Sequence, residues 1–274
     1  LSRGGLRTAF LDGSKGRILV VLRTPDRASG RCVLVALPLA DEMNKSRKML
    51  TQVAVGLAEQ GVASLLVDYF GTGDSAGEFS AVDWDACKRD LAAAAAWSAA
   101  QGWPVSGGLA VRLGCVLLGE LAAAGEIALE RTVFWQPVLA GSRWLDQFLR
   151  MRVAATMMEG TQKETVAELR NRLQSGETIE VAGYEISGRL AEQLVEAKLQ
   201  PSPALGELHW MELVRSADAE LPKPSTTLIQ AAGAQGQHVQ AYPVVGEPFW
   251  ASTEIVCIPS LVETTVRVLS DLDV

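Results

Sequence analysis

The sequence predicts an α/β fold, the mostly parallel sheet flanked by helices, with a helical cap inserted late in the chain. Three observations carry this. Short β-branched and leucine-rich runs alternate with longer stretches of helical periodicity, which implies right-handed crossovers between parallel strands. The alternation gives way to helical patterning from Ser142 to about Gln200 and then resumes. With 274 residues, 48% hydrophobic and 21% charged, the chain can bury a large core, and disorder is excluded.

Taken in order, Gly16 to Thr24 and Arg31 to Leu37 read as antiparallel opening strands around a turn-forming cluster at Pro25 to Gly30. The chain is polar after Pro38, and then Met49, Leu50, Val53, Ala54 and Leu57 recur at helical spacing until Gly61. Val62 to Asp68 is an apolar run ending in an aspartate before glycines, as a buried parallel strand meets its loop. A helix from about Val82 to Ala100, a strand Gly108 to Val111, a helix from Leu113 and a strand Arg131 to Trp135 follow. The insertion mixes Arg143, Arg150, Arg152 and Lys163 with apolar residues and is expected to sit over the sheet. That gives a core of 1–141 with 201–274 and a cap of 142–200. The α/β pattern closes with a strand Glu207 to Val214, a helix around Ser225 to Ala232, a strand His238 to Val245 and a helix Pro259 to Leu272.

Lysine and arginine number 25 against 32 aspartates and glutamates, a net charge of −7, so the basic footprint that nucleic acid requires is missing. Cys32, Cys87, Cys115 and Cys257 lie far apart in apolar runs with no CxxC pair, and read as buried thiols of a reducing compartment. The alanine-rich run Leu91 to Ala100 is short of the roughly 20 apolar residues of a membrane span. Leu1 to Gly5 shows no secretory signal, so the expected location is cytoplasmic.

Ligands of open parallel sheets bind beyond the carboxyl ends of the strands. Three loops there carry chemistry. The first, which holds Glu42, Asn44 and Lys45, is either a solvated helix start or a substrate loop in which Asn44, Lys45 and backbone amides face one anionic oxygen. The second, Gly71 to Gly77, spaces its glycines GxGxxxG and so is a tight turn, with Asp74 and Ser75 bonding local amides beside the site. In the third, Ala110-Val111-Arg112-Leu113-Gly114 has the small-residue spacing of a sharp strand-to-helix elbow that exposes a nucleophile. Its centre is Arg112, which carries five donors and no acceptor and cannot attack a carbonyl. Cys115 is expected inside the helix as a core thiol.

The strand and helix order, the Asp68 to Ser75 loop and the elbow spacing resemble the α/β-hydrolase superfamily over nearly the whole chain. More narrowly, Glu42 to Arg47, Gly73 to Gly77, Trp135 to Val138, Val181 to Glu185 and Gly246 to Trp250 resemble the second type of exosortase A system-associated hydrolase. That resemblance implies a bacterium that makes exopolysaccharide and sorts PEP-CTERM proteins. It implies a hydrolase by fold, and fold does not fix chemistry. Against the superfamily triad, Arg112 stands at the nucleophile, Asp218 matches the acid, and Glu247 occupies the histidine's approximate position. His238 and His209 lie about 26 and 23 Å of strand from the site end and read as structural.

Arg112, Asp218 and Glu247 are therefore the expected catalytic set, with Glu42, Asn44, Lys45, Asp74 and Ser75 binding substrate. Either Arg112 pairs with Asp218 or Glu247 and plugs the site, or it holds a carboxylate or phosphate. In an enzyme, Glu247 or Asp218 would activate water while Arg112 stabilises developing negative charge, although a carboxylate beside an arginine is a weakened base. An interaction protein would use the cap surface around Trp144, Phe148 and Tyr184. No grouping has zinc spacing; Asp74, Asp218 and Glu247 are the set that could hold a hard cation, and no cofactor is expected. The expected partner is a small-molecule substrate or anionic ligand.

Overall fold

The computed structural model describes residues 5–26, 30–159, 164–216 and 218–270. Residues 1–4, residues 27–29 of the expected turn cluster, Lys163, and residues 271–274, which include the expected helix end at Leu272, lie outside them. An eight-stranded sheet runs in the order β1-β2-β4-β3-β5-β6-β9-β10. Its strands are β1 (Leu6–Asp12), β2 (Arg17–Arg23), β3 (Cys32–Ala36), β4 (Ala63–Val67), β5 (Val105–Val111), β6 (Arg131–Trp135), β9 (Glu207–Val214) and β10 (Val239–Val245). From β4 to β10 every pairing is parallel, and β1 and β2 are antiparallel.

The opening differs from the expected hairpin. β2 pairs antiparallel with β4, not with β3, and its other edge takes β1, a strand the sequence reading missed. The reason is burial. All five residues of β3 are buried, so it belongs in the middle of the sheet, whereas β1 is mostly exposed and can only be an edge.

Helices α1 (Asp41–Glu59), α2 (Trp84–Ala100), α3 (Gly114–Ala123), α7 (Lys223–Ala234) and α8 (Pro259–Ser270) flank the sheet, α1 packing on α8 and α2 on α3. Asp83 caps α2 by accepting from the Ala86 amide at 3.0 Å. Asp68, buried at the end of β4, accepts from Arg47 Nη2 at 2.6 Å and from the Asp74 amide at 3.0 Å, which shapes the glycine turn.

Between β6 and β9 the chain forms α4 (Gly141–Glu159), α5 (Val166–Gln174), a hairpin of β7 (Ile179–Val181) and β8 (Tyr184–Ile186), and α6 (Gly188–Glu196). A capping box of Thr165 and Glu168 starts α5. The hairpin was not foreseen. Its two-residue turn, Ala182-Gly183, takes φ of 49° and 82°, the geometry that matches strand twist. Among the described residues no helix is long and apolar enough to cross a membrane.

Candidate functional site

Three adjacent strands, β3, β5 and β6, end beside one another, and in the loop after each stands a non-glycine residue at positive φ: Ala40, four residues past β3, at 55°, and Arg112 and Gln136, directly after β5 and β6, at 53° and 45°. Such conformations cost about 1 kcal/mol or more each and gather where a site over-determines them. All three residues line a cavity of about 420 Å3. Its wall is Trp144, Phe148 and Met151 of α4 together with Trp250, and its polar floor is Asp41, Glu42, Lys45, Arg112 and Gln147.

Arg112 sits on a true elbow. Its amide donates to the Trp135 carbonyl at 2.9 Å, fastening β5 to β6. Gly114 permits the sharp turn, because a Cβ there would run into the Ala36 carbonyl and lie 2.8 Å from Leu37 O. The Arg112 side chain is 6% exposed. Its Nε and Nη2 donate to Glu42 Oε1 at 3.3 and 3.1 Å, Nη2 also donates to Gln147 Oε1 at 3.1 Å, and Nη1 reaches Gln136 O at 3.4 Å. The guanidinium carbon lies 4.5 Å from the centre of the Trp250 ring, a cation–π contact.

The partner of Arg112 is therefore Glu42, a correction to the expected pair with Asp218 or Glu247. Both of those side chains are exposed, and neither lines the cavity nor bonds to Arg112. Glu42 wins because α1 begins at Asp41, earlier than its apolar periodicity suggests, so the first helical turn rather than a loop faces the elbow. Lys45 lies in the same turn and pairs with Asp41 at 2.6 Å. Each cation of the floor thus faces a carboxylate. Glu42 Oε2 is buried and has no donor among the described residues.

Asn44 points the other way. Its amide donates to the Tyr184 hydroxyl at 2.9 Å, over a smaller cavity of about 270 Å3 lined also by Met43 and Gly71 to Gly73. Ser75 is structural: its hydroxyl donates to Asp68 O at 2.6 Å and accepts from the Leu19 amide at 2.7 Å, tying the turn to β2. Asp74 is exposed and contributes its amide to Asp68. Among the described residues no three of histidine, cysteine, aspartate and glutamate gather as a metal cage, so Asp74, Asp218 and Glu247 do not form the cation set considered from sequence. Trp144 and Phe148 are buried and stacked at 4.8 Å, not a cap surface, and Tyr184 is half-buried against Phe79 and Asn44.

Cys115 is fully buried, its thiol donating to Ala110 O at 3.3 Å, and burial pushes its pKa well up. His209 lies on β9 level with Val133 of β6, two residues short of the pair Trp135–Met211 where the site begins. Its Nδ1 is 2.9 Å from the Tyr242 hydroxyl. Burial, reinforced by the charge of Arg131, depresses its pKa to about 4. Between its unfolded value near 6.5 and about 4, the unfolded chain takes a proton that the folded chain refuses. The stabilisation is complete above pH 6.5 and is lost as pH falls to about 4. We expect it to account for about 2 kcal/mol of acid destabilisation. Unfolding midpoints across this window should slope less steeply in His209→Gln, and an unchanged slope would refute the assignment.

The sequence reading missed Gln136, Gln147 and Trp250 as site residues and the buried acid Glu212, which accepts from Trp210 Nε1 at 2.7 Å. Gln136 had a signal, since it follows the third of three adjacent strands. Gln147 had none, because only the packing of α4 over the elbow brings it there.

In solved structures, the chain resembles Est1E of Butyrivibrio proteoclasticus with ferulic acid bound, at 12% identity and a TM-score of 0.66 over 95% of this chain and 97% of that one. It also resembles an esterase domain from Rhodothermus marinus, at 16% identity and TM-score 0.60 over 97% and 96%. A lidless α/β serine hydrolase of Xanthomonas campestris matches at 16% and 0.57 over 97% and 96%. The chain has the α/β-hydrolase fold. No protein-family model and no curated protein matches the sequence.

Proposed function

We propose that this α/β-hydrolase-fold protein binds a small organic molecule in the cavity beneath α4, with the ligand's polar end on the Arg112–Glu42 floor and its apolar part against Trp144, Phe148, Met151 and Trp250. One observation carries the reading: the elbow position holds a buried guanidinium engaged by Glu42, Gln147, Gln136 and Trp250, beside a cavity that stays open. An acyl-serine route lacks both nucleophile and base there. The sequence resemblance supports a bacterial setting linked to the exosortase A and exopolysaccharide system, with an acyl or glycan-linked molecule as ligand.

The test is labelling with a fluorophosphonate probe and turnover of p-nitrophenyl butyrate. Neither the wild type nor Arg112→Ser is expected to label or to exceed the buffer rate, because His209 is committed to Tyr242 away from the elbow. Labelling of the Arg112→Ser protein would show a working base and defeat this account.

A hydrolytic reading without a covalent intermediate has one specific support. Among the described residues neither the amide of Ala40, which lines the cavity, nor that of Leu113, next to Arg112 in the chain, has an acceptor. These two donors could hold a carbonyl oxygen while water, deprotonated by Glu42, attacks the carbon; the tetrahedral oxyanion then re-forms the carbonyl, the bond to the leaving alkoxide breaks, and Glu42 returns the proton to that alkoxide. Glu42→Gln would then abolish turnover of the true substrate.

A further inference from the structure

We propose that the polar end of the ligand is a neutral group that donates a hydrogen bond, a carboxamide or a hydroxyl, and not the carboxylate or phosphate that an arginine at the elbow suggests. This rests on the cavity reading above and adds the chemistry of the head group. The argument begins with charge. The two cations of the floor are both matched, Arg112 by Glu42 at 3.1 Å and Lys45 by Asp41 at 2.6 Å. An incoming anion must either displace Glu42 from a guanidinium that is 6% exposed or settle beside two carboxylates. Both alternatives leave one negative charge unpaired in a poorly solvated place, which costs more than the ligand's own pairing returns.

The hydrogen-bond inventory points the same way. Four donor contacts run from Arg112 to three acceptors, so little of its five-donor capacity remains. Glu42 spends only Oε1 on it. Oε2 is buried without a donor, and a buried charged acceptor in that state is among the costliest groups to leave unmatched. What Glu42 Oε2 lacks is an N–H or O–H that reaches it. Gln147 uses its Oε1 on Arg112, which fixes the side chain and leaves its amide nitrogen as a donor on the cavity lining. An acceptor and a donor side by side suit a group that both gives and receives, as carboxamides and hydroxyls do and carboxylates do not.

The experiment is calorimetric titration of the intact protein at pH 7 with four probes that share one body: 4-phenylbutyramide, 4-phenylbutanol, 4-phenylbutyrate and 4-phenylbutylamine. The amide and alcohol are expected to bind at least tenfold more tightly than the carboxylate and the amine. In Glu42→Gln the order should invert toward 4-phenylbutyrate, because Arg112 then carries an unmatched charge. The wild-type ranking decides the question even if that variant fails to fold. Carboxylate binding as tight as or tighter than amide, with all binding lost in Trp250→Ala, overturns the head-group assignment and leaves the cavity reading standing. Binding of every probe unaffected by Trp250→Ala, or no binding by any of them, overturns the cavity reading and this proposal with it.

Discussion

Replacing Arg112 by methionine is expected to destabilise the protein by about 3 kcal/mol, the cost of leaving a buried carboxylate without its counter-charge. The magnitude follows from geometry: Arg112 is 5% exposed, the Glu42 side chain 14%, and the carboxylate's second oxygen already has no donor. The left-handed backbone at 112 is equally unfavourable for both residues, so it cancels from the comparison. Urea unfolding measures the effect. Adding Glu42→Leu to the same chain should restore most of the loss, since replacing both members of a buried pair by apolar groups is close to neutral. A single variant within about 0.5 kcal/mol of the parent would mean that the pair does not hold the site together.

Gly114→Ala should be as damaging, by about 3 kcal/mol, for a steric reason. The new methyl would meet the backbone carbonyls of Ala36 and Leu37, and backbone atoms at the end of a central strand cannot swing aside as a flexible side chain does. To fit the methyl, the elbow must move away from β3 and from the first turn of α1, which carries Glu42. Thermal unfolding would therefore fall, and the Arg112–Glu42 contact would loosen. Gly233→Ala is the control. It lies near the end of α7 with open space where its methyl would go, and should gain roughly 0.5 kcal/mol from helix propensity. Equal effects at the two positions would show that elbow packing is not what Gly114 serves.

Much of the molecule is legible before folding. The strands Arg131–Trp135 and Glu207–Val214 were readable to the residue, because short runs rich in large apolar residues bounded by polar and turn-forming residues mark buried parallel strands. The elbow was readable from Ala110 and Gly114, and the consequence of Arg112 at its centre needs only the chemistry of a guanidinium. Three of the five segments that carry the resemblance also reach the cavity, through Glu42 and Lys45, Gln136, and Trp250. The edge strand β1 was not legible, since an exposed strand has no apolar run, nor was the start of α1, whose first turn is polar because it faces the site and not the core.

What the one-dimensional order determines is which residues can attack, donate or remain charged: a fixed cation at the bend, no hydroxyl there, and two histidines placed early in or just before their strands. What only the tertiary structure decides is who meets whom. Asp218 and Glu247 follow the right strands yet point to solvent, while Glu42 and Gln147, 70 and 35 residues from Arg112, close on it from α1 and α4. The physical reason is that strand ends fix a backbone position within a residue or two, whereas the direction of a long side chain is set by packing among elements that the sequence does not order in space.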